Sequence, residues 1–110
     1  MVKYKDKDYV CLLDLGLEFI KGKWKCIILC HLKNKSVRFL ELQRITKGIT
    51  QKVLTEQLKS LEADGIVERV SYPEIPPRVE YQLTEKGRDL IPALDAIEKW
   101  AEKYYANEKF

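Results

Sequence analysis

Gly48-Ile49-Thr50-Gln51-Lys52-Val53-Leu54-Thr55-Glu56-Gln57-Leu58-Lys59-Ser60-Leu61-Glu62-Ala63-Asp64-Gly65 opens the stretch that decides the fold. Ile66-Val67-Glu68-Arg69-Val70-Ser71-Tyr72, Pro73-Glu74-Ile75-Pro76-Pro77-Arg78 and Val79-Glu80-Tyr81-Gln82-Leu83 complete it. The first part predicts a helix with both ends marked. Thr50 can accept a hydrogen bond from an unpaired amide of the first turn, and Gly65 supplies the left-handed residue that ends a helix. Leu54, Leu58 and Leu61 recur at i, i+4 and i+7 and form one buried stripe. Lys52, Thr55, Glu56 and Lys59, flanked by Gln51, take the opposite face. Past Gly65 the period changes to alternation. Two short runs rich in β-branched and aromatic residues, with prolines only between them, predict a β-hairpin. Helix, turn and stiff-tipped hairpin make the outline of a winged helix.

Upstream, residues 38–45 predict a shorter helix with Phe39, Leu42 and Ile45 inward, ended by the turn Thr46-Lys47-Gly48. That helix would brace the next one and lay Arg38 or Arg44 near phosphates. Residues 23–32 predict a helix apolar on most sides (Trp24, Cys26, Ile27, Ile28, Leu29, Cys30), hence central and buried. Leu12, Leu15, Phe19 and Ile20 mark a first helix stopping at Gly22. Residues 1–10, where Lys and Asp surround Tyr4 and Tyr9, read as a loose arm.

Downstream, Thr84 and Glu85 open a helical turn, and Pro92 starts or kinks a further helix. Along it Leu94, Ile97, Ala101 and Tyr104 form a stripe flanked by Trp100 and Tyr105. So wide an apolar face exceeds what the hairpin can cover. A second copy of the chain would cover it; packing back onto the first helix is the alternative.

With 110 residues, 45% apolar and 34% charged, the chain suits one folded domain rather than a disordered segment. No apolar run approaches the roughly 18 residues of a membrane span. The start, Met1-Val2-Lys3-Tyr4-Lys5-Asp6, lacks the apolar core of a signal peptide, which points to the cytoplasm. Three cysteines with no framework spacing fit reduced thiols there. The net charge of +3 is small, but residues 33–59 hold seven Lys and Arg against two acids. Residues 85–110 hold five against six. A basic centre with a neutral tail suits a duplex-facing surface on a dimerising body; a lysine-rich solvated surface accounts for the charge equally.

The exposed row on the capped helix offers the groups that read bases. Gln pairs with adenine, Lys reaches guanine or phosphate, Thr meets the thymine methyl and Glu accepts from cytosine. The candidate DNA contacts are Arg38, Arg44, Thr50, Gln51, Lys52, Thr55, Lys59 and, at the hairpin tip, Arg78. Arg78 could instead pair with Glu74 or Glu80. Cys26, Cys30 and His31 share a helix but lack a second ligand cluster to complete four-coordination, so no metal or other cofactor is expected. No nucleophile with an oxyanion feature accompanies them, so no enzyme is expected.

Tyr72-Pro73-Glu74-Ile75-Pro76-Pro77-Arg78-Val79-Glu80-Tyr81 followed by Leu83-Thr84-Glu85-Lys86-Gly87-Arg88 resembles the wing of the HxlR family of transcriptional regulators. Gly22-Lys23-Trp24-Lys25, Phe39-Leu40-Glu41-Leu42 and Gly48-Ile49-Thr50-Gln51-Lys52-Val53-Leu54 are similar to its other landmarks, in the same order. The resemblance covers residues 11–105, nearly the whole chain. It implies a winged helix-turn-helix homodimer, mainly α with a small β-hairpin, whose N- and C-terminal helices dimerise. It also implies binding to an inverted-repeat operator in double-stranded DNA. Cys11 matches a cysteine that some relatives use to sense oxidants or electrophiles, although Leu12 here replaces the usual proline. A packing role for Cys11 stays open. The expectation is one domain over residues 1–110 with dimer contacts from Leu94, Ile97, Ala101 and Tyr104. A winged-helix protein-interaction module that never meets DNA is the rival.

Overall fold

The computed structural model describes residues 1–107. In chain order these form β1 (Val2–Tyr4), β2 (Lys7–Tyr9), α1 (Leu12–Glu18), α2 (Lys25–Leu32), β3 (Val37–Arg38), α3 (Phe39–Ile45), α4 (Gln51–Ala63), β4 (Val67–Tyr72), β5 (Arg78–Leu83), α5 (Glu85–Arg88) and α6 (Ile91–Tyr105). The class is α+β and the outline a winged helix, as the sequence pattern predicts. β5 lies between β3 and β4 in an antiparallel sheet, with Val37 opposite Tyr81 and Tyr72 opposite Arg78.

α4 forms as its end signals require. The Thr50 hydroxyl accepts from the Val53 amide at 3.1 Å. At the other end Gly65 has φ +71, the Gly65 amide donates to Glu62 O at 3.0 Å and the Ile66 amide to Leu61 O at 2.9 Å. These two reversed bonds close a Schellman turn, and its left-handed residue carries no Cβ to strain. The turn delivers Ile66 and Val67 into the core beside Leu54, Leu58 and Leu61. Ile28, Leu29, Leu32 and Leu42 complete that core from α2 and α3.

Three expectations change. Residues 1–10 are not a loose arm: β1 and β2 form a hairpin, with Val2 opposite Tyr9 and Tyr4 opposite Lys7. Tyr9 is buried, and the Tyr4 ring meets Phe19 edge-on at a centroid separation of 5.5 Å. Lys3 and Asp8 pair on the outer face of that hairpin, while Lys7 shares the inner face with Tyr4 and Tyr9 and reaches Glu18 at 3.6 Å. α2 is buried on one side only: Ile28, Leu29 and Leu32 are inside, whereas Ile27 is exposed and Cys26, Cys30 and His31 are half-buried. α1 ends at Glu18 rather than near Gly22 and buries no residue, with Leu12 left 73% exposed.

Candidate nucleic-acid interface

α3, the turn at residues 46–48 and α4 make the helix-turn-helix. The Thr46 amide closes the last turn of α3 on Leu42 O at 3.0 Å, and the Ile49 amide bonds Thr46 O at 3.2 Å. Ile49 is buried, so the chain enters α4 along a fixed path. The leucine stripe then turns Gln51, Lys52, Glu56 and Lys59 to solvent. Gln51, Lys52, Thr55 and Glu56 line an open depression over the first turns of the helix. That end carries unpaired amides and the positive end of the helix dipole, both suited to phosphate. Among the described residues neither Lys52 nor Lys59 has a carboxylate partner within ion-pair distance.

The other candidates differ in what they already hold. Thr50 is exposed but committed as the cap of α4. Thr55 is half-buried and donates its hydroxyl proton to Gln51 O at 2.8 Å, leaving its methyl and lone pairs to a ligand. Arg38 is exposed at the head of α3. Arg44 binds both oxygens of Glu41, with Nε to Oε2 at 2.8 Å. That hydrogen-bonded pairing raises the Arg44 pKa and lowers that of Glu41. Screening at this exposed position keeps the pair weak, so a phosphate can compete for the guanidinium.

Arg78 is held more firmly. Its guanidinium lies over the Tyr72 ring at 4.1 Å, and Nε is 3.0 Å from Glu74 and 3.4 Å from Glu80. Its Nε–H is not aimed to hydrogen-bond either oxygen, so these contacts are ionic. Glu80 in turn accepts from the Ser36 hydroxyl at 2.5 Å. Of the two roles open to Arg78 in the sequence, the acidic pairing is the one formed within the chain. Tyr72 was missed as a partner. Its signal was the hairpin register, which sets it opposite Arg78.

The C-terminal face divides. Leu94 is 5% exposed and belongs to the core of its own chain, against α2. Its place in the predicted seam is therefore inside the subunit. Ile97, Trp100 and Tyr104 are 58%, 57% and 58% exposed, and Ala101 is half-buried beside them. The Trp100 ring lies 5.7 Å from that of Tyr104 and 5.8 Å from that of Tyr105. Leu12, Leu13 and Leu17 on α1 are exposed too.

The cysteines also separate. Cys11 is exposed at the N-cap of α1 and makes no side-chain cap bond. Cys26 and Cys30 are half-buried, and burial pushes both thiols up; at Cys30 the charge of Glu98 adds to it. Among the described residues no three His, Cys, Asp or Glu side chains gather to hold a metal, and no helix is long and apolar enough to cross a membrane.

The family pattern described as HxlR-like helix-turn-helix matches residues 19–109. An HTH-type transcriptional regulator of Methanothermobacter thermautotrophicus is 45% identical over 104 residues, covering 94% of this chain and 79% of its own. The HTH-type transcriptional regulator YtcD of Bacillus subtilis is 50% identical over 94 residues, covering 86% and 75%. Among solved structures, the redox regulator HypR is similar in both its forms. The reduced form has TM-score 0.81 at 46% identity, covering 84% of this chain and 92% of its own. The oxidised form has TM-score 0.82 at 45% identity, covering 91% and 100%. With the helix-turn-helix, the wing and nearly the full length in common, this chain belongs to the HxlR family of helix-turn-helix transcriptional regulators.

Proposed function

We propose that this transcriptional regulator acts in the cytoplasm as a homodimer and reads an inverted repeat in double-stranded DNA with the N-terminal half of α4. The observation that carries the reading is the exposed row Gln51, Lys52, Glu56 and Lys59, held outward by a buried leucine stripe on a capped helix. Gln51 and Lys52 supply base-edge hydrogen bonds, and the Thr55 methyl supplies an apolar contact. Arg38, Arg44, Lys59 and the amides beside Thr50 take phosphates and set the register. Arg78 reaches DNA only by exchanging Glu74 or Glu80 for a phosphate; otherwise it stiffens the wing. Ile97, Trp100, Ala101 and Tyr104 on α6, with the exposed leucines of α1, form the seam between subunits.

Cys11 is the thiol suited to an oxidant or electrophile signal. It is exposed at the start of α1, on the element proposed to join the subunits, so its modification would alter the spacing of the two α4 helices. HypR, a redox regulator with reduced and oxidised forms of this same fold, supports that role.

Fluorescence anisotropy tests the reading. The labelled duplex is the DNA upstream of the chain's own gene, compared with a scrambled duplex of equal length at one salt concentration. The upstream duplex should bind about a thousandfold more tightly or better. Equal affinity for both would leave only nonspecific binding or the protein-interaction rival.

A further inference from the structure

A cavity of about 410 Å³ lies at the end of α4 opposite Gln51 and Lys52, where Ser60 and Asp64 face the β1–β2 hairpin. Its size falls in the range of small-ligand sites. Two sets of groups converge on it. Tyr4, Tyr9 and Phe19 supply aromatic surface, with Tyr4 and Phe19 already set edge to face. Lys5, Lys7, Lys21 and Lys25 supply positive charge against Glu18 and Asp64. Glu18 is shared by Lys21 at 3.0 Å and Lys7 at 3.6 Å, which satisfies those two.

Lys25 is different. It is half-buried at the start of α2, and its ammonium donates to the Ser60 hydroxyl at 2.9 Å. Among the described residues it has no carboxylate within ion-pair distance. An ammonium retains further donors after one such bond, and its unneutralised charge on a cavity wall calls for an anion. Lys5 sits in the hairpin turn at φ +54, an uncommon conformation for lysine, with its ammonium 5.5 Å from the centroid of Tyr4.

We propose that this cavity binds a small aromatic carboxylate, with Lys25 and Lys5 holding the carboxylate while Tyr4, Tyr9 and Phe19 receive the ring. The site touches the hairpin, the end of α1 and the C-terminal half of α4 together. A ligand that favours one setting of α4 against α1 therefore changes operator affinity by its differential affinity for the two settings. This coupling rests on the proposed DNA reading; the binding itself does not.

The test is calorimetric titration of the whole protein without DNA, using 4-hydroxybenzoate, the neutral 4-hydroxybenzamide and acetate. Saturable binding of 4-hydroxybenzoate is expected, with the amide and acetate weaker by about tenfold or more, since each lacks one recognised half. Lys25→Met should weaken 4-hydroxybenzoate by a similar factor while keeping the wild-type circular dichroism and cooperative melting. Lys5→Ala, at an exposed position, should weaken it less and replaces that variant if Lys25→Met fails to fold. No saturable heat at millimolar 4-hydroxybenzoate, equal affinity for the amide, or unchanged affinity in the folded variant would overturn the site. Anisotropy with and without 4-hydroxybenzoate reads the coupling separately. Binding of the acid with no change in operator affinity would remove the coupling, and failure of all DNA binding would count against the DNA reading alone.

Discussion

Gly87 in α5 lies against the backbone of Ile66, and a Cβ at residue 87 would collide with the Ile66 carbonyl oxygen. The contact belongs to a lock at the root of the wing. The Thr84 hydroxyl accepts from the Gly87 amide at 3.1 Å and donates to Gly65 O at 2.6 Å, while the Thr84 amide bonds Ile66 O at 3.1 Å. The end of α4, the exit of β5 and the start of α5 are thereby tied together. The aim of the wing relative to α4 follows from this junction.

Gly87→Ala should therefore destabilise the protein by about 1–3 kcal/mol, because the obstacle is backbone and cannot rotate away. Thermal unfolding followed by circular dichroism would register a fall of several degrees. An unchanged melting temperature would mean that the junction yields and does not fix the wing.

Ile97→Glu should shift the protein from dimer to monomer. In the single chain this position is mostly open to water, so the charge costs little there, but buried between subunits it would be unpaired. Sedimentation velocity at micromolar concentration compares the two. A wild-type monomer, or a variant dimer as stable as wild type, contradicts the seam on α6.

Cys11 should react with iodoacetamide faster than Cys26 or Cys30 at neutral pH. Burial raises the pKa of the latter two, so at a given pH less of each is thiolate and less is accessible. Raising the pH should narrow the gap, since thiolate forms at Cys26 and Cys30 only as pH climbs above the ordinary thiol range. Peptide mass spectrometry over time reads all three. Equal rates at neutral pH would make Cys11 a packing residue, as would peroxide-sensitive operator binding that survives Cys11→Ser.

What the sequence made legible was local. The Thr50 cap, the leucine stripe and Gly65 act within a few residues of each other, so α4 and its ending could be read directly. The wing was legible because prolines interrupt two alternating runs. The N-terminal hairpin was hidden by three-residue strands rich in lysine and aspartate that resemble a solvated tail; the inner row of Val2, Tyr4, Lys7 and Tyr9 is itself interrupted by a lysine. Apolar periodicity on α1 and α6 shows a face but not its cover. Leu94 and Ile97 therefore read alike, although Leu94 meets α2 of its own chain and Ile97 meets solvent. The state of Arg78 depended on the register that brings Tyr72 opposite it, with Glu74 and Glu80 beside it. The cavity joining the hairpin, α1 and α4 depends on contacts distant in sequence, which no motif spacing announces.

If the exposed face of α4 reads bases, removing one side chain from that face must weaken operator binding. The direct measurement is operator affinity of wild type, Gln51→Ala and Lys52→Ala by anisotropy at one salt concentration. Neither side chain is buried in the chain, so both variants should keep the wild-type fold. Each should lose about tenfold or more, the worth of a base contact of about 1–3 kcal/mol. Hydroxyl-radical footprints of the wild type should show two half-sites about 10–10.5 base pairs apart, as two α4 helices of a dimer require. Unchanged affinity in both folded variants would contradict α4 as the reader.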